Sequence, residues 1–343
     1  MTGRWLTTLE EFRSLAADWD AAVAASGTDN PFLLSEFLLA WGEAFAELGE
    51  PRILVCESAG GIEAGLPLFL SSRRHARLHW QALRYFGLGF ANLTEPFFPS
   101  GQTVAFAEAA GAALRRLHGW SYASLPLSRS RWAEAADLRV RCASRGSLAR
   151  ICVNCDAVAY AATRRPRMQA DLRRCIRRAA ETGAITFGRE PDHLDDLIRI
   201  QLRFNGPFRY ASEFELGAST ASWAAFTEAL LRRLAATGHL DPMALRIGGE
   251  LAAAGFGFRY GSGYKSLLAS FDPRFRTAGP GMLFFYHLVD WCHQRGDPTI
   301  EMYADGEEFE KRRWGNEFVP LHQLWIFAPT LSGRALHQGS RWA

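Results

Sequence analysis

Lysine is almost missing: of the 39 basic side chains only Lys265 and Lys311 are lysines, and the rest are arginines. Arginine can replace lysine over most of a surface, so a retained lysine points to a place where a compact ammonium is wanted rather than a planar fork. No run approaches the ~20 apolar residues needed to span a bilayer. The start, Met1-Thr2-Gly3-Arg4-Trp5, lacks the apolar core of a signal peptide. These absences predict a soluble, cytoplasmic protein without a membrane span. A net charge of +3 is too small for a general DNA binder. The six cysteines lack the spacing of a disulfide scaffold, and Cys152-Val153-Asn154-Cys155 is a lone CxxC with no second pair or nearby histidine, so no metal or redox centre is expected. The nine histidines form no HExxH, and neither a Walker A pattern nor a GxSxG elbow occurs.

What is present is a chain of 343 residues, 48% hydrophobic, long enough for two domains that each bury a core. The clearest local signal runs from Phe271 to Gly281, reading Phe-Asp-Pro-Arg-Phe-Arg-Thr-Ala-Gly-Pro-Gly. It lies between a strand-like run and a segment with Met282, Phe285, Tyr286 and Val289 at i, i+3, i+4 and i+7, the spacing of an apolar helix face. A helix start presents unpaired amides and a positive dipole end, and Gly279 and Gly281 permit close backbone approach. With Arg274, Arg276, the Thr277 hydroxyl, Ala278 and Met282, the loop is a candidate phosphate site. The competing reading is an ordinary loop with solvated arginines.

Before the loop come apolar runs at 243–247, 251–260 and 264–271, separated by Gly248-Gly249 and Gly261-Ser262-Gly263, which are hairpin signals. After it come a helix over 281–294 and a strand over 299–303. The N-terminal half shows the same order: strands at 52–57, 62–70 and near 83–86, a helix at 104–117, and a strand near 122–125. This repetition implies a duplicated α/β module. The N-terminal counterpart of the loop, Asn92 to Gln102, has no arginine, so any phosphate site belongs to the C-terminal copy. Between the halves, a basic helix carries Arg164, Arg165, Arg167, Arg173, Arg174, Arg177 and Arg178 around a stripe of Met168, Leu172, Ile176 and Ala179 or Ala180. It reads as a solvated face or as a platform for a polyanion.

Several of these segments resemble the acyltransferases of the GNAT superfamily, in particular the tandem branch with CelD-type and BioF2-like domains related to FemAB. They are the hairpin and strand ending in Phe271-Asp272-Pro273, the Gly279 to Leu283 helix start, the segment Gly306 to Gly315, Asn30-Pro31-Phe32-Leu33 with Trp41, Leu66-Pro67-Leu68, and the basic helix closed by Gly183. One departure stands out. The family pattern usually places an aromatic residue directly before the lysine matching Lys311, where this chain has Glu310, with Phe309 one earlier.

The resemblance implies an α/β (α+β) fold of two tandem GNAT-like modules, each a mixed, mainly antiparallel sheet flanked by helices. Their expected spans are 1–147 and 148–330, with a tail at 331–343. It also implies an acetyl-CoA or other acyl-CoA site at the Arg274 to Met282 loop, and transfer of the acyl group to an amine on a small molecule or sugar. Glu301 and Asp305 are then the candidate bases and Tyr303 or Tyr264 the candidate acid. The acceptor is expected in the cleft between modules, with Trp41, Phe90, Phe97 and Phe98 contributing, and the chain allows a homodimer. Aminoacyl transfer from tRNA, as in the FemAB relatives, and a non-catalytic binding protein are the alternatives.

Overall fold

Glycine turns and apolar runs become strands much as the spacing predicts. The computed structural model describes residues 1–75, 78–91, 93–204, 219–305 and 313–339, with 73–75, 78–79 and 303–305 as backbone. The chain divides into two compact units. One comprises Met1–Gly146 and the chain from Pro320 onward, the other the chain between Ser147 and Val319.

In the first unit, β1 (Thr2–Leu6) leads through α1 (Leu9–Ser14), α2 (Ala16–Ser26) and α3 (Ser35–Ala44) to β2 (Glu50–Ser58), β3 (Gly61–His75) and β4 (Leu78–Tyr85). Then follow α4 (Thr103–Arg116), β5 (Tyr122–Ser128) and β6 (Arg139–Cys152), which crosses the division. A capping box opens α1: Thr8 accepts from the Glu11 amide while the Glu11 carboxylate accepts from the Thr8 amide. The loop after β4 turns inward, with Phe86, Leu88, Phe90 and Phe97 buried. Trp41 packs against Phe45, Phe69 and Phe86. The aromatics expected to line an acceptor cleft therefore include three, Trp41, Phe90 and Phe97, that fill the core of this unit; Phe98 stacks on Phe106.

The second unit contains α5 (Ala157–Ala162), α6 (Pro166–Thr182), β7 (Ile185–Arg189), α7 (Leu194–Phe204) and α8 (Thr220–Ala236). It continues with β8 (Asp241–Ile247), β9 (Glu250–Tyr260), β10 (Gly263–Phe271), α9 (Pro280–Arg295) and β11 (Thr299–Asp305). Gly248 and Gly249, at φ +63° and +83°, make the two-residue turn that pairs Ile247 with Glu250. Met168, Leu172, Cys175 and Ala179 are the buried residues of α6, so its arginines occupy the outer circumference. Together with α9 they form one core with Ile300, Met302 and Trp314. On the opposite side, α7 packs on β8, β9 and β10.

Both units follow one pattern. Four antiparallel strands, β1 to β4 or β7 to β10, are followed by a helix and a strand that returns parallel to the fourth. The sixth strand comes from further along or further back in the chain. β12 (Glu317–Phe327) pairs antiparallel with β5 over 322–327, and β6 pairs antiparallel with β11 over 148–152. The fold is thus mixed α/β with mainly antiparallel strand pairing. The two compact units meet between Val319 and Pro320, within β12, whose pairing with β5 falls in the first unit. The final helix, α10 (Leu331–Gly339), follows it in the first unit.

Candidate functional site

The end of β10 turns into α9 through a short 3-10 segment, Pro273–Ala278. Asp272 starts it by accepting from the Arg274 amide at 2.8 Å. The Arg274 guanidinium folds back on Asp272 at 2.8 Å and reaches Glu250 at 3.1 Å. Burial works to raise the Asp272 carboxyl, but the bonds from the Arg274 amide and guanidinium outweigh it and hold the group below its ordinary value. Arg276 and Thr277 are exposed, and no described carboxylate pairs with Arg276. Ala278 and Met282 are buried in the core.

Gly279 joins the turn to α9 at φ +65°, and a Cβ there would lie 2.3 Å from the Cys175 sulfur of α6. Both the left-handed backbone and the close approach require glycine. The helix start offers fewer free amides than the sequence suggests: Pro280 has no N–H, and the Met282 and Leu283 amides donate to the Gly279 carbonyl at 3.0 and 3.1 Å. A cation of the basic helix stands beside it. Arg178 of α6 donates to the Thr277 carbonyl at 3.4 Å, so the basic helix and the loop share one surface. The sequence marked Arg178 as part of a possible polyanion platform but carried no signal that it meets the loop.

Beside the loop, β10 and β11 run parallel but pair only as Tyr264 with Ile300, Lys265 with Glu301 and Ser266 with Met302. Pairing stops there, although β10 continues to Phe271 and β11 to Asp305. The register of β10 against β9 also shifts between Ser266 and Leu268, as at a β-bulge. A parallel ladder that ends while its strands go on makes a notch in the sheet.

At the root of this notch lie three charges in register across β6, β11 and β10. Glu301 meets Lys265 at 2.7 Å through one oxygen and Arg150 at 2.7 and 2.8 Å through the other. Lys265 is 0% exposed and Glu301 1%. The retained lysine is thus a fully buried ammonium, and Glu301 is committed to two cations. Tyr264 points to the other face, edge-on to Trp291 and against Gly257, and burial pushes its hydroxyl well above the usual value. Asp305 pairs through its backbone register with Leu148. The side chains of Tyr303 and Asp305, and the segment 306–312 that contains Glu310 and Lys311, lie outside the described residues.

A second concavity, missed in the sequence, lies in the same unit. It is an open pocket of about 860 Å³ at the N-terminal end of α6, with Arg164, Arg165, Arg167, Asp171, Arg313 and Phe318 in its lining. Among the described residues no group of His, Cys, Asp and Glu could hold a metal ion, and no helix is long and apolar enough to cross a membrane.

Two solved structures share the fold across most of the chain. A conserved protein of unknown function from Bacteroides thetaiotaomicron VPI-5482 is 13% identical, with 91% of this chain and 97% of that one covered at a TM-score of 0.60. FemX is 11% identical, with 98% and 99% covered, also at a TM-score of 0.60. Comparison with curated proteins gives no match. At the level of sequence it is the second unit, from the first residue of α6 to just beyond β11, that matches the acetyltransferase (GNAT) domain family, over residues 166–312.

Proposed function

We propose that the second unit is an acyl-CoA-dependent N-acyltransferase, of the tandem branch that the sequence resembles, acting on an amine of a small molecule or sugar. The observation that carries this reading is the notch: the β10–β11 ladder stops at Ser266 and Met302, and β10 then leads directly into the Arg276 to Gly281 turn. An extended chain with amides, such as the pantetheine arm of CoA, can add alongside a strand whose partner has left. Its pyrophosphate then meets Arg276, Arg178 and the start of α9.

The chemistry follows from what remains free to act. The acceptor amine attacks the thioester carbonyl carbon, a C–N bond forms as the C–S bond breaks, and the amine proton must leave as the CoA sulfur departs. Glu301 is buried between two cations, so we assign the base to Asp305 at the C-terminal end of the same strand. Tyr264 is sealed in the core, which leaves Tyr303 to protonate the departing thiolate.

Calorimetric titration with CoA, acetyl-CoA and a charged tRNA, followed by a thiol-release assay over a panel of amines, tests the reading. Acetyl-CoA should bind and release thiol only with an amine present. Binding of charged tRNA without CoA binding would replace it by aminoacyl transfer, and binding of neither would leave a non-catalytic protein.

A further inference from the structure

The pocket at the head of α6 has a charge balance unlike that of a solvated basic face. Arg313 is matched by Asp171 at 2.8 Å, and Asp171 also holds Arg174 at 2.7 Å. Arg164, Arg165 and Arg167 all line the cavity, and none of them pairs with a carboxylate among the described residues. Arg164 is nevertheless held in place. Its guanidinium donates to the carbonyls of Trp314 at 3.4 Å and Gly315 at 2.9 Å and lies 5.0 Å over the Tyr160 ring. Carbonyls and an aromatic face fix the orientation of a cation without cancelling its charge, which pre-organises it for an anion. Phe318, 44% exposed, adds an apolar face to the same wall. A volume of about 860 Å³ suits a ring bearing one or two phosphates.

Position separates this site from the phosphate loop. The two features sit at opposite ends of α6: Arg167 lines the pocket and Arg178 touches the loop. That is about 16 Å at 1.5 Å per helical residue. One pyrophosphate cannot serve both. The pantetheine arm, equivalent to about four residues of extended chain, spans about 14 Å, so a CoA anchored at the loop can bring its thioester towards the pocket end. Ser147, in the pocket wall, adjoins Leu148, whose register partner is Asp305, the residue assigned as base.

We infer that this pocket is the acceptor subsite and that the acceptor is an amine carrying a phosphate or diphosphate next to a ring, held by Arg164, Arg165 and Arg167. The inference rests on the acyl-transfer reading for the word acceptor, while the anion site stands on its own geometry. A phosphate could also come from the 3′ position of CoA, and the experiment separates the two sources.

Inorganic pyrophosphate is titrated into the full chain by calorimetry with CoA at saturation, so that the loop is filled. The Arg165→Gln/Arg167→Gln variant, altered only at exposed side chains, is compared with the wild type. CoA and dephospho-CoA are titrated separately into both. The expected result is pyrophosphate binding that weakens at least ten-fold in the variant, with CoA and dephospho-CoA each held within two-fold. Unchanged pyrophosphate affinity overturns the inference. So does a loss of CoA affinity that dephospho-CoA does not show, because the pocket would then hold the 3′-phosphate. If CoA binds to neither protein, the acyl-CoA reading falls, while weakening of pyrophosphate binding in the variant still supports the anion site.

Discussion

Replacing Glu301 by glutamine should unfold this protein more than it slows it. The carboxylate is 1% exposed and holds Lys265, itself fully buried, at 2.7 Å and Arg150 at 2.7 Å. Removing it takes away the carboxylate that faces a buried ammonium at 2.7 Å. Breaking a buried pair from one side costs about 3–5 kcal/mol, because the remaining charge loses its compensation. At about 2–4 °C per kcal/mol for a unit of this size, the melting temperature should fall by about 6–20 °C. Removing the ammonium as well should reverse much of that: Lys265→Met/Glu301→Gln leaves Arg150, which is 18% exposed at its side chain and has Glu317 at 3.9 Å. Thermal and urea unfolding of both variants, followed by two probes in case the units melt separately, supplies the measurement. A drop of under about 2 °C for Glu301→Gln, or a double variant no more stable than the single, would refute the electrostatic argument. A variant that keeps its stability but loses about 10²- to 10⁴-fold in rate would return Glu301 to the role of base.

The remaining predictions concern the loop, the base and pH. Asp305→Asn should lower turnover about 10²- to 10⁴-fold at neutral pH and recover partly at high pH, where the amine is already neutral; near-normal rates would leave catalysis to positioning. Arg276→Ala should weaken CoA binding about ten-fold, and Arg274→Ala less, because Arg274 already pairs with Asp272 and Glu250; calorimetry giving the reverse order would show that Arg274 swings out to the ligand. Gly279→Ala forces a side chain into φ +65° and against Cys175, and should cost about 1–3 kcal/mol in urea unfolding. Burial depresses the His287 pKa, so the unfolded chain takes up the proton first as pH falls. That part of the stability is present above the ordinary histidine pKa and is lost as pH falls through the depressed folded value. His287→Gln should therefore flatten the decline in stability between about pH 7 and pH 5, and an equal slope in both proteins would remove His287 as its source.

Much of the fold was readable along the chain because it is written in short-range terms. Turn glycines at Gly248 and Gly249 fixed a hairpin, and an apolar face around Met282 fixed α9. The strand, helix, strand order, seen twice, fixed the same strand pattern in both units. The scarcity of lysine even marked Lys265 as unusual, although nothing local said what it would meet.

Tertiary structure decided everything that depends on which strand lies beside which. Glu301, Lys265 and Arg150 are far apart in sequence and become a buried charge ladder only because β6 pairs with β11 and β11 with β10. The exchange that gives β12 to the first unit and part of β6 to the second is likewise invisible to periodicity, since a strand carries no local record of its partner. Tyr264, a candidate acid in the sequence, and Trp41, a candidate lining of the acceptor cleft, are both buried in the core, because burial is settled by the packing of distant segments. The arginine pocket has the same origin: its basic residues surround a cavity only once the chain at 313–318 returns to the head of α6.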